Sequence, residues 1–509
     1  MKNRGIILLI WLVGCCCACN DFVDVTSDNE LLQEDMFSTE SGFHMAVNGV
    51  YKDLSSTDLY GKNLTWGFAS TLGYNYNMYY FYSNSAYYYY ICQFDYERSE
   101  IVSIIEQIWK KAYNVIAGCN NILQETEAKD TSFFSLGAIE KQMIMGEMYG
   151  LRAMVHFDLL RLFCPAPITG SKGAMPYVTD FPTLQPEHKA SDVVLTEIVR
   201  DMEKSRELLG EVDTVFCRSW NTSLNNRLNH SATLSTVTPS LFVSYRAHRM
   251  NYFAATALLA RIYAYMGDMD KAYPLAAHAY SFTQSPTAWF TWTTAAQQGS
   301  STSSNNSLYP KRPAELYFAL SNSQNYNNWE AALGTNNSNF TMNELPTLFA
   351  GDLDDYRYVG FFARYDLPNT QTKNAHYITW ERNPNTSETT AAQTAEYQGH
   401  MIPMCRFSEM YHIMIEYLIE KGQLTEAATL FTALRTARGA KASITGLNAQ
   451  DLKEKLVNDI VRETLTEGQT FFLFKRLNRG IINGASIRSM EPEDWVLPIP
   501  DGETAYQFN

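Results

Sequence analysis

Two stretches of the chain carry the same arrangement of small and large residues. In 251–282, Leu259, Ala260 and Tyr263 are followed by Gly267-Asp268 and then by Ala272, Ala276 and Ala279. In 407–438 the corresponding residues are Met414, Leu418, Gly422, Ala427, Phe431 and Leu434. Residues three and four apart share one helix face, and small residues there let two antiparallel helices touch. The spacing predicts helix pairs of tetratricopeptide type. One such pair cannot bury its own faces, so divergent copies must flank it. The expected fold class is therefore mainly α, a tetratricopeptide-like helical-repeat scaffold.

The flanking sequence supplies more helices. Phe43, Ala46, Val47, Val50, Tyr51 and Leu54 follow helical spacing within 39–54, and Ile101, Ile104, Ile105, Ile108, Ala112 and Val115 do so within 101–123. A third helix is expected over 147–163, stopped by Pro165 and Pro167, and a fourth over 191–209. Residues 297–339 are rich in Ser, Asn and Gln, which reads as long loops. A short strand-like run, 315–320, lies among them. The organisation expected is a single domain over 39–509, with helical repeats over about 39–282 and 401–480 and a loop-rich insertion over about 283–400 carrying short strands.

The first residues are an address. Lys2 and Arg4 precede the apolar run Ile6 to Val13, and Cys15, Cys16, Cys17 and Cys19 follow. The run is too short to span a bilayer, which needs about 20 residues, and it has the pattern of a secretory signal. Adjacent cysteines lack the spaced pairs of a zinc site, and a bridge between neighbours is strained. The remaining reading is a lipoprotein signal over 1–18, whose lipidated cysteine is Cys15 or Cys19, with a tether over 19–38. Lipid chains anchor a domain to a membrane surface without spanning it.

Once Lys2 and Arg4 are removed, 38 basic face 54 acidic side chains, a net charge of −16. That balance argues against nucleic acid, whose phosphates call for Lys and Arg. Five cysteines lie beyond the leader: Cys92, Cys119, Cys164, Cys217 and Cys405. They are odd in number and lack metal-ligand spacing, so they read as buried small hydrophobes. There is no HExxH, GxSxG or phosphate-binding glycine loop, and the chain is not expected to be an enzyme or to hold a cofactor or metal.

Several motifs, in order and over nearly the whole length, resemble the SusD/RagB family of surface nutrient-binding lipoproteins. Cys19-Asn20-Asp21-Phe22-Val23-Asp24 is similar to the family's mature start, which favours Cys19 as the lipidated residue. Trp109 to Ile116 with Asn120 and Asn121, Arg152-Ala153 with Phe157-Asp158-Leu159-Leu160-Arg161-Leu162, Leu258 to Asp268, Arg406 to Tyr411, and Leu497-Pro498-Ile499-Pro500 with Glu503 resemble its further motifs. One motif departs. Where the family has a Gly-His-Arg-Trp-Phe-Asp run, this chain has Gly468-Gln469-Thr470-Phe471-Phe472-Leu473, so a local polar network is expected to become apolar.

The resemblance implies capture of oligosaccharides or polysaccharides at the outer membrane, facing outward, and delivery to a SusC-like TonB-dependent transporter. The Rag branch implies the alternative of a peptide-capturing lid. A pyranose stacks its C–H faces on aromatic rings and pairs its hydroxyls with Asn, Gln, Asp and Arg, and Trp and Tyr give rigid contact area. Two loop zones fit. One is the tyrosine-rich stretch 74–96, with Tyr79, Tyr80, Tyr82, Tyr87, Tyr88 and Tyr90; the bland alternative is a strand with alternate rings inward. The other is Trp289 and Trp292 with Tyr326, Asn327 and Trp329, and Trp329, amid Asn and Ser, is expected to stand open. Asp352, Asp354 and Asp355 beside Arg357 read as a structural ion pair rather than a calcium loop. Glu463 and Glu467, one helical turn apart, read as a solvated stripe rather than a glycosidase pair.

Overall fold

The computed structural model describes residues 35–79, 81, 86–228, 241–284, 288–299, 309–333, 340–362 and 398–504. They form two compact units, divided between Ala46 and Val47. In the first, Phe37 packs edge-on against Phe43, with centroids 4.8 Å apart, and the Thr39 side chain accepts the Gly42 N–H at 3.2 Å where helix α1 (Glu40–Leu54) begins.

The second unit is a train of helices: α2 (Phe68–Leu72), α3 (Ala86–Cys92), α4 (Ser99–Ala128), α5 (Ala138–Phe163), α6 (Ser191–Glu211), α7 (Tyr252–Met266) and α8 (Met269–Ser281). After the insertion come α10 (Phe407–Glu420), α11 (Leu424–Ala437), α12 (Ala449–Thr464) and α13 (Thr470–Leu477). Each long helix lies against its neighbours in sequence: α5 on α4 and α6, α6 on α7, α7 on α8, α8 on α10, and α10 on α11 and α12. This is the tetratricopeptide-like scaffold, and the two repeat pairs are α7–α8 and α10–α11.

Small residues set the closest approaches. A Cβ on Gly150 would stand 2.5 Å from the Ser205 hydroxyl, and one on Gly146 2.7 Å from Leu209, so α5 and α6 touch only because both positions are glycine. The Ser205 hydroxyl donates to the Gly146 carbonyl at 2.6 Å across that contact. Between α7 and α8, Gly267 takes φ 80°, a left-handed C-cap that costs glycine little. Asp268 then caps α8 by accepting from the Lys271 N–H.

Buried charges around α5 are paired. Glu147 on α5 accepts from Arg246 at 2.6 Å and Arg249 at 2.8 Å. Asp213 takes the other side of Arg246 at 2.7 Å, and Arg152 on α5 reaches Asp201 on α6 at 2.6 Å. Such pairs offset their desolvation only with good geometry on both sides. The five cysteines are buried and free.

The strand-like run is strand β3 (Leu316–Ser321). It pairs antiparallel with β4 (Met401–Arg406), with a register irregularity around Phe318. Two short antiparallel pairs lie outside it: β1 (Ala174–Pro176) with β2 (His188–Ala190), and β5 (Ile481–Asn483) with β6 (Ser486–Arg488). Helix α9 (Asn325–Ala332) follows β3.

Two expectations about charged residues need correcting, and one of them only in part. Glu463 and Glu467 are not a solvated stripe. Glu463 is 2 % exposed and accepts from Arg312 at 2.8 Å, Arg438 at 2.7 Å and Arg357 at 3.0 Å, while Glu467 is held by Arg406. Burial alone would raise the Glu463 carboxyl; the three guanidinium groups, Arg312 foremost, overcome it and hold the group well below the usual range. The 468–474 segment does bury Phe471, Phe472, Leu473 and Phe474. Yet Gln469 still accepts from Arg161 at 3.0 Å, so the polar network has changed partners rather than vanished. Asp355 and Arg357 form the expected ion pair at 2.6 Å.

Candidate ligand-binding surface

The tyrosine-rich stretch is tied at both ends. Tyr74 and Phe94 take positive φ, 54° and 56°, and the Tyr74 hydroxyl donates to the Cys92 carbonyl at 2.6 Å. Between them runs helix α3 rather than a strand. Four consecutive tyrosines on a helix point in four directions about 100° apart. Tyr88, Ile91 and Cys92, at i, i+3 and i+4, face inward and are buried; Tyr87, Tyr89 and Tyr90 are left half-buried. Burial raises the Tyr87 and Tyr88 hydroxyls above the usual phenol range, so both stay protonated donors.

The insertion supplies the floor beneath this helix. Tyr76 bridges Met342 antiparallel, the Asn77 N–H donates to the Thr341 carbonyl at 2.7 Å, and the Asn343 N–H donates to the Asn75 carbonyl at 2.9 Å. Phe340 then sits among four rings: Tyr88 at 4.9 Å, Tyr76 at 5.0 Å, Trp66 at 5.5 Å and Phe81 at 5.9 Å. At the edge, the Arg98 guanidinium lies 4.2 Å over the Tyr90 ring, aligned by its Nε donation to Asp95 at 2.7 Å. Tyr79 is 72 % exposed, and its N–H donates to the Asn77 side chain at 3.0 Å. The surface thus offers half-open phenol rings, a flat guanidinium and side-chain amides on a rigid base.

The residues expected to bind are distributed unevenly. Tyr79 and Asn327 are exposed. Trp292 is half-buried in another neighbourhood, against Phe407 at 4.5 Å and Tyr411 at 5.2 Å, under the Arg438 guanidinium. Trp289 is buried against Phe253 and Phe282, Tyr88 is buried on Phe340, and Tyr326 is buried beside Trp329. The expectation that Trp329 stands open is corrected: it sits on α9 with no exposed surface. Tyr80, Tyr82 and Cys19 lie outside the described residues. Sequence reasoning missed Tyr89, Phe340 and Arg98. Phe340, a lone ring in a polar run, carried no signal of its partners, which lie some 250 residues earlier.

Comparison with known proteins shows what this architecture is similar to. Residues 21–264 match the sequence profile of the SusD-like family described as starch-binding and associating with the outer membrane. The structure superposes on a SusD superfamily protein from Bacteroides thetaiotaomicron with a TM-score of 0.64, at 19% identity, covering 92% of this chain and 98% of that one. The matched profile covers just under half of the chain, and the structural likeness shows the SusD-like fold over nearly all of it. A SusD-like carbohydrate binding protein from Bacteroides vulgatus has the same SusD-like fold, with a TM-score of 0.64 at 16% identity, over 92% of this chain and 96% of its own. Among curated proteins, SusD-like protein P25 of Formosa agariphila is 23% identical over 234 residues. That match spans 42% of this chain and 39% of the relative. No helix among the described residues is long and apolar enough to cross a membrane.

Proposed function

We propose that this SusD-like protein captures oligosaccharides or polysaccharides at the outer face of the outer membrane, anchored there by lipid on Cys19. It hands them to a SusC-like TonB-dependent transporter. The single observation that carries the reading is the tyrosine helix on its Phe340 floor: Tyr79, Tyr87, Tyr89 and Tyr90 keep open ring surface, with Arg98, Asn77 and Asn343 beside them. Aromatic faces next to planar polar groups are the chemistry that stacks and hydrogen-bonds a pyranose. The family description and the SusD-like relatives support the same class of ligand. Binding, rather than catalysis, fits a surface of this kind. Trp292 and Asn327 extend the proposal to the second zone.

Affinity electrophoresis of the chain lacking residues 1–19, through gels carrying host and dietary polysaccharides, tests it. Retardation by one class of polysaccharide, reduced in Tyr90→Ala, is the expected result. Mobility unchanged on every gel, together with peptide binding, would replace this reading with that of a peptide-capturing lid.

A further inference from the structure

An open cleft of about 660 Å³ is lined by α4, α5 and α6, with the β1–β2 loop beside them. None of its lining residues belongs to 74–98 or to the insertion, so it is separate from the tyrosine surface. Asn120 on α4 ties the loop to the helices. Its amide N–H groups donate to the Val178 and Asp180 carbonyls at 3.0 and 3.3 Å, and its oxygen accepts from Arg152 Nη1 at 2.8 Å. Arg152, on α5, directs its Nε to Asp201 on α6 at 2.6 Å.

One donor is left over. Arg152 Nη2 has no hydrogen-bond partner among the described residues and is not sealed from solvent. The residue is only 4 % exposed and lines the cleft, so Nη2 is reached from there. Its plane is held by Asp201, by Asn120 and by the half-buried Tyr149 ring, whose centroid is 5.1 Å from the guanidinium carbon. Acceptors surround it. Glu127, Asp180 and Glu203 are exposed and have no cationic partner among the described residues, and Gln124 adds an exposed amide. The other lining cations are taken: Lys204 pairs with Glu207 at 3.0 Å, and Arg200 pairs with Glu197.

We propose that this cleft is a second saccharide site, taking a neutral pyranose unit; the inference rests on the reading that the protein's ligands are saccharides. A fixed donor amid acceptors matches a polyol, whose hydroxyls each accept and donate. An anion is opposed by the three uncompensated carboxylates, and a cation by the guanidinium between them. The Tyr149 ring and the flat guanidinium beside it give the C–H face of the sugar a surface to lie on. The volume falls within the range of about 300–1,000 Å³ that small-molecule sites occupy.

The test is a ligand-observed NMR titration of the chain lacking residues 1–19 and carrying Tyr90→Ala, which weakens the tyrosine surface. The probes are the methyl pyranosides of glucose, galactose, mannose and N-acetylglucosamine. At least one is expected to bind saturably. Adding Tyr149→Ala should weaken it about tenfold, the effect of a lost stacking contact, and adding Gln124→Ala about fivefold, the effect of a lost hydrogen bond. Gln124 is exposed, so that variant decides if Tyr149→Ala fails to fold by circular dichroism. No saturable signal, equal binding in every folded variant, or tighter binding of methyl glucuronide or glucosamine than of the neutral pyranosides would each overturn the second site. Wild-type retardation on polysaccharide gels is read beside it. Retardation without a cleft signal overturns the second site alone; absence of both overturns the saccharide reading with it.

Discussion

The Phe340 ring lies 4.9 Å from that of Tyr88, edge to face, so a residue of the insertion is the floor of a helix some 250 positions earlier in the chain. Phe340 is wholly buried among Trp66, Tyr76 and Phe81 as well. Truncation to alanine at such a site costs about 3–5 kcal/mol. Phe340→Ala is expected to lower stability by that amount in urea and to lose polysaccharide retardation together with it. Phe340→Leu should keep most of both.

Trp329 and Tyr79 separate packing from binding. Trp329→Ala removes a wholly buried indole, and a loss of about 3–5 kcal/mol is expected by chemical denaturation. Tyr79→Ala removes an exposed ring. Its stability should stay within about 0.5 kcal/mol of wild type, while its retardation on the retained polysaccharide falls. Equal retardation of wild type and Tyr79→Ala would remove Tyr79 from the platform.

Glu463 holds the insertion to the scaffold through Arg312, Arg438 and Arg357. Breaking a buried pair by removing one partner costs about 3–5 kcal/mol. Glu463→Gln is expected to lose at least that, because three guanidinium groups share the carboxylate. The group's pKa is depressed in the fold, so its contribution is present above the ordinary carboxylate range and disappears in acid. The difference in melting temperature between wild type and Glu463→Gln should therefore shrink as pH falls below about 4.

Lys475 is the opposite case. Its ammonium is buried against two carbonyls, those of Arg161 at 2.6 Å and Trp495 at 2.5 Å. Burial lowers it from 10.5 to about 7. Between those values the unfolded chain holds a proton that the folded chain does not, so stability rises with pH across about 7 to 10.5. Below about 7 both states are protonated and the penalty is constant. The melting temperature of wild type, measured against that of Lys475→Met, is expected to climb between pH 7 and pH 10. A flat difference would show that the amine is not desolvated.

The scaffold was legible because its signals are local. Gly267, Asp268 and the alanines of α8 each act on residues within a turn or two, and the pair they predict is the pair observed. The platform was legible as a zone and not as residues. In α3 the helical period decides that Tyr88 points in while Tyr87, Tyr89 and Tyr90 stay partly open, and the partner that buries Tyr88 comes from the insertion. Trp329 shows the same limit. Asn327 and Asn328 beside it read as loop, yet on α9 Tyr326 and Trp329, three apart, share the buried face and Asn327 takes the outer one. Glu463 was misread because its partners, Arg312 and Arg357, are more than 100 residues away.

The pairing of β3 with β4 places Ser321 opposite Met401 and Leu316 opposite Arg406. The chain therefore leaves the scaffold and returns to it at one spot, and the entropy of closing a loop grows only slowly with its length. Length between the two strands can therefore change at little cost, as long as Trp329, Phe340 and Arg357, buried within that excursion, keep their partners. The excursion thus varies around fixed anchors, a detour whose two ends and buried contacts stay put while its exposed turns drift.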